Sequence, residues 1–156
     1  MIAAMLILLL VLEALEVAIL WLHDWVPIPP LNDVRAVQAQ NSTAQLVWGT
    51  IISSLPFTLG FAFSLLWLHR AYPPWVWGWL WISNVLLLLG AVHAWWLPYL
   101  IRPEPQRAAR YRAMFAHTHA FLPERNGIIP NTLHCALHAI IIGILITLAL
   151  LASGLR

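Results

Sequence analysis

A chain of 156 residues that is 62% hydrophobic and only 9% charged is not built for water, since soluble domains carry about 25% charged residues. Its net charge of +2 rests on eight arginines without a lysine, five of them between Arg102 and Arg125. Such local basicity suits membrane topology and lipid headgroups and excludes nucleic acid as a partner, because no soluble fold is left to display a groove-reading surface. The single cysteine, Cys135, excludes an intrachain disulfide and a Cys-rich metal or iron–sulfur site.

About 20 residues at a rise of 1.5 Å cross a hydrocarbon core of about 30 Å. The first segment to meet that requirement covers residues 2–23. It lacks a basic leader and a small-residue cleavage site and carries Glu13 and Glu16 inside its apolar run, so a retained span is expected rather than a signal peptide. A connection follows with Pro27, Pro29 and Pro30 and then a polar stretch from Asn32 to Gln45, predicting an extended turn that finishes as a short helix. The second span, 46–69, carries Gly49, Ser53, Gly60 and Ser64 at helical spacing beside Pro56, a narrow stripe for close helix approach with a kink.

Pro73 and Pro74 make the next connection tight, so the third span, 76–100, is expected to return antiparallel to the second. Trp21, Trp25, Trp48, Trp67, Trp75, Trp77, Trp95, Trp96 and Tyr99 sit near span ends, where an aromatic belt is expected. Residues 101–131 form the one sizeable connection. Pro105 opens a helix there, Tyr111, Phe115 and Leu122 share a side, and Asn126-Gly127 supplies a turn. Along the headgroups is where this helix should lie. The fourth span covers 132–152.

The expected fold class is therefore all-α: an integral membrane four-helix bundle in one domain over 1–156, with a short interfacial helix in the third connection. Connections one and three hold Arg35, Arg102, Arg107, Arg110, Arg112 and Arg125, and the other side holds Arg70 and Arg156. The positive-inside rule then places both termini on the periplasmic side and 101–131 in the cytoplasm. The absence of lysine is a codon-level pointer to a GC-rich bacterial genome, and so to the bacterial cell inner membrane.

Ionisable groups inside a bilayer cost a few kcal/mol each and usually face a bundle interior with a partner. Glu13 and Glu16 lie about 60° apart on one helix face, and His23 continues nearly the same face. His134 and His138 stand at i, i+4, a spacing at which two imidazoles can grip one ion. Counted from the arginine-rich side, Glu16, His93 and His138 are each about seven residues deep, or roughly 10 Å. That shared level predicts a transition-metal site in the cytoplasmic half of the bundle, with Glu13, Glu16, His93, His134 and His138 as ligands or near neighbours and Zn, Fe, Mn or Cu as the ion.

Other readings of the same residues stand beside it. Haem held by His93 and a histidine of the fourth span is one. Metal-free acid–base or proton transfer on a lipid-soluble substrate is another. A third is a hydrogen-bonded Glu16–His138 pair that merely fixes helix order, and a fourth is a structural or accessory subunit, as a homo-oligomer or packed against a larger membrane complex through the small-residue stripe of the second span. The segment 121–131 reads as a shaped loop able to fold back over the polar cluster. No P-loop, dinucleotide fingerprint or nucleophile elbow is present.

Overall fold

The computed structural model describes residues 2–154; Arg156, counted above for orientation, lies outside them. Among the described residues the chain is helical without strands. The elements run α1 (Ile2–Leu22), α2 (Val34–Ala39), α3 (Thr43–Leu66), α4 (Pro74–Ala91), a π-helical turn (Val92–Trp96), α5 (Leu97–Leu100), α6 (Pro105–Phe115) and α7 (Thr132–Gly154). Among the described residues four helical stretches are long and apolar enough to cross a membrane: Ile2–Leu22, Thr43–Leu66, Pro74–Leu100 and Thr132–Gly154.

Local chemistry fixes the helix ends. Ser42 and Gln45 form a reciprocal capping box that starts α3 three residues before the hydropathy rise. Asp33 caps α2 through the Ala36 N–H. Pro74 and Pro105 occupy the first turns of α4 and α6, where a missing N–H removes nothing.

Each long helix packs between two others: α1 against α3 and α7, and α4 against α3 and α7. Gly60 lets α3 and α4 approach closely, since a Cβ there would stand 3.1 Å from Leu80 Cδ2. Ser64, from the same stripe, bonds within the chain to Glu13. Tryptophans join helices as well as facing outward. Trp21 Nε1 donates to Thr58 Oγ1 at 2.8 Å, linking α1 to α3, and Trp25 Nε1, in the turn after α1, donates to Thr50 Oγ1 of α3 at 2.9 Å.

The interior is layered. Leu9, Val76, Leu80, Ile144, Leu148 and Leu151 form one apolar cluster toward the N-terminal end of α1. Leu20, Phe57, Leu137 and Ile141 form another toward its C-terminal end. Beyond that, Trp95, Tyr99, Ala108 and Ile128 tie the long third connection to the helix ends. Outward-facing Ile52, Leu66, Ile82 and Leu86 are all more than 60% exposed, an apolar exterior that water would not favour.

The connections meet as their composition suggests. α2 packs on α6, so connections one and three share an end of the molecule. Asn126 (φ 54°) and Gly127 (φ 78°) make the tight turn, closed by mutual Arg125 and Ile128 backbone hydrogen bonds of 3.0 Å. The turn folds back onto the end of α5, where Asn126 Nδ2 donates to Pro98 O and Tyr99 O. Glu124 pairs with Arg112 at the exposed surface and not with the interior polar groups.

Candidate functional site

The five residues singled out by spacing divide into separate places. Glu13 and Glu16 are buried, at 2% and 1% exposure, between the two apolar clusters. Ser64 Oγ donates to Glu13 Oε1 at 2.9 Å, while Glu13 Oε2 and Glu16 Oε1 have no hydrogen-bond partner among the described residues, nor do Asn84 Oδ1 and Ser54 Oγ. Leu9 and Leu80 share one cluster, and α1 and α4 both run antiparallel to α3. One turn further along each helix therefore sets Glu13 and Asn84 in the next interior layer.

His93 is elsewhere. It is exposed on the outer side of the π-helical turn; its carbonyl accepts from Arg107 Nη1 at 3.1 Å, and its ring has no hydrogen-bond partner among the described residues. Counting residues matched its depth to Glu16 and His138 but not its direction. Nine residues separate it from buried Asn84, which at about 100° per residue is half a turn, so the two face opposite ways.

His134 and His138 have rings 6.4 Å apart, yet they do not present two lone pairs to one ion. Trp96 Nε1–H donates to His138 Nδ1 at 3.1 Å, which fixes the Nε2–H tautomer and occupies that ring's one acceptor. Among the described residues, no group of three His, Cys, Asp or Glu side chains is placed to hold a metal ion. The structure thus does not assemble the expected Glu13, Glu16, His93, His134 and His138 ligand set, and the His93 axial pair for haem is not assembled either.

His134 belongs instead to a cavity of about 370 Å³ at the arginine-rich end, lined by His23, Asp24, Trp95, Arg110, Tyr111, Phe115 and His134 among others. The chain builds it from distant pieces. Asn32 closes the first connection, its Oδ1 accepting from Ile28 N–H and its Nδ2 donating to His23 O and Val26 O. His119 N–H donates to Pro30 O, and Thr132 N–H to His119 O, which draws the start of α7 against that connection. Trp95 stacks on His134 at 4.4 Å and on Tyr111 at 4.5 Å between ring centroids, and Phe115 meets His134 edge-on at 5.2 Å.

Hydrogen bonds set the imidazole tautomers. Asn131 Oδ1 accepts both the His134 backbone N–H (3.1 Å) and His134 Nδ1–H (2.6 Å), while its Nδ2 donates to Leu31 O at 3.4 Å, so the amide cannot be turned around. His134 Nε2 is left as a bare lone pair. His23 Nδ1–H donates to Ile19 O at 2.9 Å, and its Nε2 lies 3.4 Å from Asp24 Oδ1. The two rings stand edge to face at 5.9 Å. Also lining the cavity is Tyr111, whose phenol is raised above its ordinary value by burial against the lowering effect of Arg107, and its hydroxyl donates to Ala94 O at 3.2 Å.

Spacing singled out His134 but not its orienting group. The signal was present in Asn131-Thr132-Leu133-His134: an asparagine three residues before a histidine at a helix start can cap the helix and reach the ring together. Asp24, Arg110 and Trp95 carried no comparable sequence signal, because the first connection, α6 and the π-helical turn that hold them meet only in three dimensions. The chain matches no known family model, and no curated protein or solved structure aligns with it at a significant level.

Proposed function

We propose that the chain is a multi-pass protein of a bacterial inner membrane, folded as a four-helix bundle, that transfers a proton to or from a lipid-soluble substrate in the His23–His134 cavity. The observation that carries this reading is the Asn131–His134 pair, an oriented imidazole with one bare nitrogen on a partly aromatic cavity at the helix ends. The four apolar helices and their apolar exterior support the membrane setting.

A hydroxyl of the substrate gives its proton to His134 Nε2, the electron pair of the O–H bond staying on oxygen. The resulting imidazolium keeps its Nδ1–H on Asn131 Oδ1, so the base is held in position through the transfer. Trp95, Tyr111 and Phe115 supply apolar walls for the substrate body. His23 and Asp24 offer the next stop for the proton. The metal-free reading is favoured over the transition-metal one because His138 has its acceptor nitrogen occupied and His93 faces outward.

Nitrogen NMR of histidine-labelled protein in detergent micelles tests this directly, since a bare ring nitrogen and an N–H resonate far apart. His134 is expected with Nε2 bare, shifting toward the hydrogen-bonded range on addition of a hydroxyl-bearing amphiphile such as a short-chain quinol. An Nε2–H tautomer for His134 in the wild type would end the proposal.

A further inference from the structure

We propose that a second cavity, of about 840 Å³ and lined by Arg102, Arg107 and Arg110, seats the phosphate of an anionic phospholipid. The inference rests on the membrane reading above. Arg107 is held in place: its Nε pairs with Glu104 Oε2 at 2.9 Å, and its Nη1 donates to the carbonyls of His93 (3.1 Å) and Ala94 (3.0 Å). Arg110 has only a neutral partner, Asn41 Oδ1 at 2.7 Å. Neither Arg102 nor Arg110 forms an ion pair among the described residues. Arg102, Arg107 and Arg110 line this space with one acidic residue, Glu104, which pairs with Arg107; the excess of positive charge thus rests on Arg102 and Arg110, and a phosphodiester would complement it.

The surroundings favour a lipid over a free phosphate. Arg102 follows directly on the third long apolar helix, at the level where headgroups lie if that helix spans a bilayer. Beside it Leu100 and Ile101 are exposed, Ile101 at 73%, and Leu89 is exposed further along the same helix. A basic cavity next to an apolar strip matches a molecule with an anionic head and acyl chains. Arg110 and Tyr111 line both cavities, so a headgroup held here lies beside the imidazole site.

The test uses the full chain purified in detergent, titrated with phosphatidylglycerol, phosphatidylcholine or inorganic phosphate, and read by native mass spectrometry. Phosphatidylglycerol should be retained preferentially. Arg102→Gln and Arg110→Gln should each lower that preference by about fivefold, whereas Arg70→Gln at the other end should leave it unchanged. Because Arg110→Gln also removes the contact with Asn41, a salt titration of the wild type supplies a readout independent of folding: the preference should fall as salt screens the site. Equal retention of the two lipids, an Arg102→Gln variant indistinguishable from wild type, or binding satisfied by inorganic phosphate alone would each overturn the proposal. Failure of the wild type to enter liposomes would instead show that the membrane reading itself is wrong.

Discussion

A single oxygen, Asn131 Oδ1, accepts from both the backbone N–H and the ring Nδ1–H of His134, at 3.1 and 2.6 Å. Helix start and imidazole orientation are thereby coupled. Asn131→Ala should lower stability by about 0.5–2 kcal/mol, the usual cost of losing an N-cap, and should also release the His134 tautomer. Chemical denaturation together with histidine nitrogen shifts would measure both. A variant that loses stability while keeping the tautomer would separate the cap from the orienting role.

His138 gives the complementary case. Trp96→Phe removes the one donor to its Nδ1 while keeping most of the ring volume. A loss of about 1 kcal/mol is expected for the hydrogen bond, with His138 then free to exchange tautomers. If the His138 spectrum is unchanged, Trp96 does not set its state.

Glu16 is buried with an unpartnered oxygen, an arrangement that stability alone does not select. Glu16→Met, which is similar in size and apolar, should raise the thermal midpoint in detergent, and Glu16→Gln should leave it near that of the wild type. Ser64→Ala should do the opposite by removing the donor to Glu13 Oε1, at a cost of about 1–3 kcal/mol. A destabilised Glu16→Met would reveal a structural partner for the carboxyl.

Gly127 combines a φ of 78° with a site where a Cβ would stand 2.9 Å from Ala108 Cβ. Gly127→Ala should therefore destabilise the third connection by about 1 kcal/mol or more and expose it to limited proteolysis between α6 and α7. Wild-type resistance in that variant would mean that the turn tolerates the side chain by shifting.

Orientation is open to labelling. With 101–131 on the cytoplasmic side, a cysteine placed at Gln106 in a Cys135→Ala background should react with a membrane-impermeant maleimide in inverted vesicles and not in intact cells. The reverse pattern would invert the topology.

What the sequence determines by itself is set by local, additive properties. Mean hydropathy over about 20 residues is enough to mark four long apolar helices, and Pro74, Pro105 and Asn126-Gly127 mark starts and turns through constraints acting within a few residues. The burial of Glu13 and Glu16 is legible in the same way, since an apolar run leaves them nowhere else to be. Even the Ser42–Gln45 capping box lies in the sequence, although hydropathy alone starts that helix later.

Only the tertiary structure decided which polar groups meet. Depth along a helix follows from counting, but direction depends on how each helix is rotated against its neighbours, and this turned His93 outward and gave the His138 nitrogen to Trp96. The cavity around His134 needs contacts between residues far apart in the chain, such as Asn131 with Leu31 and Arg110 with Asn41. Side-chain shape and long-range hydrogen bonds select those contacts, and neither is a sum over local sequence. The chemistry-bearing residues were therefore recognisable one at a time, while their grouping was fixed by the packing of α6 and α7 around Trp95.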